Sequence, residues 1–117
     1  IIPPMEIITG TLELAQLKTM ADNSFGNLVK AVVDVERELV AVDAELHSDL
    51  EALLLDNGSK QKDLWGINFY PQMTEEEFIE FDSVINMRPS QGNRSRGVEN
   101  EELRRRIISV AEKRIKR

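Results

Sequence analysis

A single histidine, His47, stands two residues before Asp49 and four before Glu51. On a helix, His47 and Glu51 share a face, where a carboxylate can tune an imidazole near neutrality for acid–base work. His47, Asp49 and Glu51 are therefore the candidate catalytic groups. They could also begin a metal site. With no cysteine and no second histidine, carboxylates would have to complete it, which favours a hard, oxygen-liking ion. The competing reading is a surface ion pair or a hydrogen-bonded packing histidine. No cofactor and no metal is assigned.

The second constellation lies in residues 85–102, INMRPSQGNRSRGVENEE, where three arginines fall within nine residues. Arg88, Arg94 and Arg96, with Asn93, are the candidate anion-binding residues. Guanidinium forks match phosphate or carboxylate in pairs of hydrogen bonds. Gly92 and Gly97 let a main chain approach a ligand closely. The stretch leads into a helix, whose free N–H groups also favour anions. Against this, Glu99, Glu101 and Glu102 already crowd that end. The glycine spacing matches neither the phosphate loop nor the dinucleotide fingerprint, and no nucleophile elbow is present. The alternative is a clamp, with Arg88 and Arg94 bonded to Glu80, Asp82 or loop carbonyls. Asp56-Asn57-Gly58-Ser59 lacks the alternating oxygens of a calcium loop and reads as a helix stop.

These groups need elements to hold them. Residues 11–22 read as a short helix, capped at Thr11, with Leu14, Leu17 and Ala21 on one face. The valine-rich run that follows alternates, with Val29, Ala31, Val33 and Val35 opposite Lys30, Asp34 and Glu36. A second strand covers residues 39–42, although Glu36-Arg37-Glu38 lacks the glycine or asparagine of a tight turn. Asp43 caps a second helix striped by Leu46, Leu50, Leu53 and Leu54 and stopped at Asn57-Gly58. Trp65, Ile67 and Phe69 share one face of a third strand. Asn68 and Tyr70 point the other way, and one aromatic beside Asp63 is a weak signal for single-stranded nucleic acid. Residues 78–87 read as a fourth strand. Asn100 caps a last helix with Leu103, Ile107, Val110 and Ala111 inward. The order α-β-β-α-β-β-α predicts one α+β domain over residues 1–117: a four-stranded, mostly antiparallel sheet with three helices packed on one face.

Apolar side chains at 41% and charged ones at 31% fit a soluble globular chain and argue against wholesale disorder. No run is long enough to span a membrane and no leader is legible, so a cytoplasmic protein is expected. Met5 is either the native start behind tag residues or interior to a native segment. The net charge of −6 argues against general nucleic-acid binding. It divides unevenly: residues 1–87 carry 17 acids and 5 bases, net −12, and residues 88–117 carry 4 acids and 10 bases, net +6. The basic third either neutralises the acidic remainder or meets an acidic partner.

Three blocks, ELHSDLEALLLDNGS, DLWGINFYP and INMRPSQGNRS, together resemble an uncharacterised prokaryotic protein family catalogued only as a domain of unknown function. The resemblance runs from about Val29 onward. Its members often place a cysteine where Leu50 stands and a glycine pair before the Glu-Leu-His, and this chain has neither. It implies grouping and no mechanism. Two function classes follow. One is an anion-, nucleotide- or nucleic-acid-binding module built on the arginine loop, with His47 and a carboxylate supplying acid–base catalysis if they share its cleft. The other is a non-enzymatic structural or protein-interaction domain, expected to be oligomeric, whose loop is an internal clamp.

Overall fold

A computed structural model describes residues 5–117. The question of whether residues 1–4 are native lies outside them. The element order is β1 (Glu6–Ile8), β2 (Leu12–Glu13), α1 (Leu14–Asp22), β3 (Val29–Asp34), β4 (Leu39–Val42), α2 (His47–Asp56), β5 (Leu64–Phe69), β6 (Ile79–Glu80), α3 (Glu101–Arg114) and β7 (Ile115–Lys116). Five strands form an antiparallel sheet in the order β1-β4-β3-β5-β6, while β2 and β7 make a separate parallel pair.

The four-stranded expectation is corrected to five, because residues 6–8 pair with β4. The placement of all three helices on one face is also corrected. Leu17 and Ala21 of α1 and Ile107, Val110 and Ala111 of α3 pack against Val29, Ala31, Val33, Trp65, Ile67 and Phe69. Leu50 and Leu54 of α2 pack on the opposite face, against Val32, Ala41 and Leu64. Val32 is the physical reason. It breaks the polar side of the valine run, so β3 is apolar on both faces along its centre and takes helices on both.

Local chemistry explains the remaining boundaries. The β3–β4 turn needs no glycine, because Asp34 Oδ1 accepts the N–H groups of Glu36 and Arg37, each at 2.9 Å, and Glu38 takes φ 56°. Asp34 is fully buried. Its other oxygen accepts the Ser59 hydroxyl at 2.6 Å, and Ser59 in turn accepts from Arg37. Helix α1 is capped at Glu13 rather than Thr11, with Gln16 Oε1 accepting the Glu13 N–H. Helix α2 starts four residues after Asp43, leaving Leu46 at its cap and 55% exposed, so Leu46 is not part of the buried stripe. Gly58, at φ 103°, supplies the expected left-handed stop. The fourth strand shrinks to Ile79–Glu80. Ser83 then caps the 3-10 turn Val84–Asn86, which sends Ile85 to the α2 side and leaves Met87 exposed.

Candidate functional site

The loop after β6 lies along the outer edge of β5. Strand β6 covers only Asn68 and Phe69, and Phe78 accepts the Tyr70 N–H at 2.9 Å. The rest of that edge is closed by side chains. Asn86 Oδ1 accepts the Gly66 N–H at 2.8 Å, and Asn86 Nδ2 donates to the Gly66 carbonyl at 2.9 Å, as a neighbouring strand would. Arg88 closes the next position. Its Nη2 donates to the Leu64 carbonyl, Nη1 to that of Gln61 at 2.8 Å and Nε to that of Ile85 at 3.0 Å. The guanidinium lies 4.6 Å over the Trp65 ring and 3.6 Å from Glu51 Oε2. Arg88 is 9% exposed; burial lowers its pKa and Glu51 opposes that shift.

Asn93 holds the loop on itself. Its Nδ2 donates to the carbonyls of Asn86, Gly97 and Ser95, and its Oδ1 accepts the Glu99 N–H at 2.9 Å. Gly92, at φ 81°, closes the turn between Arg88 and Asn93, whose main chains exchange two hydrogen bonds. The Arg94 and Ser95 N–H groups form a small anion cradle, and Glu99 Oε2 fills it at 2.7 and 2.8 Å. Those two bonds are the leading reason its carboxyl sits below the usual range. The Arg94 side chain is exposed, with no ion pair among the described residues. Arg96 bonds Asp82 at 2.6 Å, a half-exposed pair whose hydrogen bond raises the Arg96 pKa.

His47 begins α2 and is 8% exposed. A carbonyl can only accept, so its 2.8 Å contact with the Ile67 oxygen fixes the proton on Nε2. The i, i+4 pairing with Glu51 is not formed: Glu51 faces Arg88, and Asp49 lies exposed on the outer side of the helix. His47 lies on the α2 face, whereas Arg88 sits at the sheet edge between the faces, meeting Glu51 of α2 on one side and the Trp65 ring on the other. The imidazole packs over Gly66, the residue that Asn86 caps, and Glu51 of α2 meets Arg88. They form a packed seam rather than a cleft. Open grooves lie beside this seam. One of about 530 Å³ runs between Lys62, the loop residues Gln91, Gly92 and Asn93, and the start of α3, and another, of about 500 Å³, between β6 and α3; neither His47 nor Arg88 lines either one. Among the described residues, no three His, Asp or Glu side chains converge as metal ligands.

Burial, ahead of every other cause, lowers the His47 pKa from its ordinary 6.5. The folded chain therefore binds fewer protons than the unfolded chain as pH falls past 6.5. His47 contributes stability that is complete above that pH and is lost as pH drops through its folded pKa. Urea unfolding between about pH 7 and 5 should show this slope, and His47→Gln should flatten it. An unchanged slope would assign the effect to other groups.

Asn86 and Gly66 are working residues that pattern reading missed. A glycine inside a strand was the available signal, because it marks close approach of another chain segment. A β-carbon there would lie 2.6 Å from Ser83 Cβ and 3.2 Å from His47 Cδ2.

The basic third is largely occupied within the fold. Arg106 pairs with Glu36, Lys113 with Glu38, and Arg114 donates to the carbonyls of Thr9, Gly10 and Glu38. No described helix is long and apolar enough to cross a membrane.

Residues 6–114 match the model of a family described as "Protein of unknown function (DUF5674)". The chain belongs to this family. The DUF5674 match begins at β1, well before Val29, so the family likeness takes in the first strand and helix as well. No curated protein and no solved structure matches the chain.

Proposed function

We propose that this chain is a non-enzymatic structural or protein-interaction domain whose arginine loop is an internal clamp on the sheet edge. The observation that carries this reading is the direction of the loop's polar groups. Arg88 and Asn93 each donate to three main-chain carbonyls, and Glu99 fills the only N–H cradle described in the loop. An anion at this loop would have to displace a carboxylate already held by two hydrogen bonds. A catalytic role has little to work with, because the only histidine is buried, bonded to a carbonyl and separated from Glu51 and Asp49.

A second reading keeps anion or nucleic-acid binding at Arg94, whose exposed guanidinium has no ion-pair partner among the described residues. Thermal melting with phosphate and with nucleotide separates the two. The clamp reading expects no change in Tm. A ligand at one hundred times its Kd would add about 2.7 kcal/mol and overturn it. Glu99→Gln sharpens the comparison, since it removes the internal anion. Stabilisation by phosphate in that variant alone would show that the cradle accepts an anion and that Glu99 normally fills it.

A further inference from the structure

We propose that Asn57 is a latent site of self-modification, a succinimide-forming asparagine that Arg37 holds shut. This goes beyond the clamp reading and does not depend on it. The chain contains a single Asn-Gly step, Asn57-Gly58, and both residues are exposed at the stop of α2. Glycine sets no side chain beside its own nitrogen, so that nitrogen can approach the preceding asparagine closely. In the reaction, the Gly58 main-chain nitrogen gives up its proton and attacks Asn57 Cγ. An N–Cγ bond forms, the Cγ–Nδ2 bond breaks, and Nδ2 leaves as ammonia with the proton. Water then opens the cyclic imide at either carbonyl. The products are aspartate or isoaspartate at position 57, and water is the only co-reactant.

The fold withholds each requirement of that attack. Ring closure needs the Gly58 nitrogen in line with Asn57 Cγ, a near-attack geometry that the main chain must turn to reach. Asn57 instead takes φ −88° and ψ 2°, which continues the turn of α2. The Gly58 N–H donates to the Leu55 carbonyl at 3.1 Å and the Ser59 N–H to that of Leu54 at 2.9 Å, so turning the peptide breaks both bonds. The electrophile is held as well. Arg37 Nη2 donates to Asn57 Oδ1 at 2.9 Å and Arg37 Nη1 to Ser59 Oγ at 2.8 Å, so one guanidinium spans the glycine. Ser59 is bonded in turn to the buried Asp34, whose other oxygen shapes the turn that carries Arg37. Latch and target are thus fixed to one another from both ends. The guanidinium also polarises the Asn57 carbonyl, which favours attack, but the nitrogen that would exploit this is turned away and bonded. Isoaspartate would undo the network, because it adds a carbon to the main chain between α2 and Ser59 and draws Ser59 off Asp34.

Peptide mapping of the full chain by mass spectrometry, after incubation in mildly alkaline buffer, tests this. Asn57 should convert at least about tenfold faster in urea than in the native chain, since the locked turn must open first. Native Arg37→Ala should convert at least about tenfold faster than native wild type, because the hydrogen bonds lost come from a charged donor. Asn23, which precedes Ser24 at the stop of α1, is the internal reference. Global loosening raises conversion at both asparagines, whereas loss of the latch raises it at Asn57 alone. Arg37→Lys should also be fast, because one ammonium cannot span Asn57 and Ser59 as the planar fork does, and it replaces Arg37→Ala if that variant fails to fold. Equal rates in native and urea-unfolded wild type overturn the closed site. A folded latch variant that converts no faster than wild type, or that gains equally at Asn23, overturns the role of Arg37.

Discussion

Arg88→Ala is expected to lower the unfolding free energy by about 3–5 kcal/mol, the usual effect of removing one member of a buried ion pair. Three consequences act together. The carbonyls of Leu64, Gln61 and Ile85 lose their donor, Glu51 keeps a buried carboxylate oxygen with no hydrogen-bond partner, and the Trp65 ring loses the cation stacked on it. Domains of this size hold about 5–15 kcal/mol in total, so the variant should be marginal. Urea unfolding would measure the loss. Arg94→Ala is the control: that side chain is exposed, and its change should stay within about 0.5 kcal/mol. Equal losses in the two variants would sink the clamp. Arg88→Lys should rescue little, because one ammonium cannot span three carbonyls that approach in a plane.

The second large effect is expected at Gly66. Gly66→Ala should cost about 1–3 kcal/mol, the range for forcing extra atoms into a packed site. The added carbon would stand 2.6 Å from Ser83 Cβ and 2.7 Å from Ser83 Oγ. Ser83 cannot rotate its β-carbon away, and its main chain is tied to the Arg96 carbonyl. The double variant Gly66→Ala/Ser83→Gly should recover much of the loss, although His47 Cδ2 at 3.2 Å keeps the site tight. A double variant no better than the single one would show that the strain arises elsewhere.

Helix α3 was legible because its signals are local: Asn100 caps it through the Leu103 N–H, and Ile107, Val110 and Ala111 recur at helical spacing. The inward face of β5 was legible for the same reason, since Trp65, Ile67 and Phe69 alternate cleanly. The side of the sheet that α2 occupies was not. Val32 makes β3 apolar on both faces, and period two loses its meaning in a strand buried twice. The arginine loop left two readings open because its partners are distant. Arg88 reaches carbonyls of Gln61 and Leu64, 27 and 24 residues away, and main-chain carbonyls leave no mark in a side-chain pattern. What could be read was the acidity of the loop's end, which became the Glu99 cradle.

The small parallel pair of β2 and β7 has a consequence for how the chain reaches its fold. Leu12 sits beside Ile115, and Arg114 reaches the Thr9 carbonyl across 105 residues. Such contacts raise contact order, and their closure entropy comes due before they stabilise anything. Helix α1 packs into the same core as α3, so α1, made earlier, has no complete seat until α3 follows. Strands β3, β4 and β5 with α2 can gather earlier, because their partners lie close in the chain. Folding during synthesis should therefore proceed from the middle outward, with the early-made segment held in waiting and exposed to proteolysis until β7 arrives to close it.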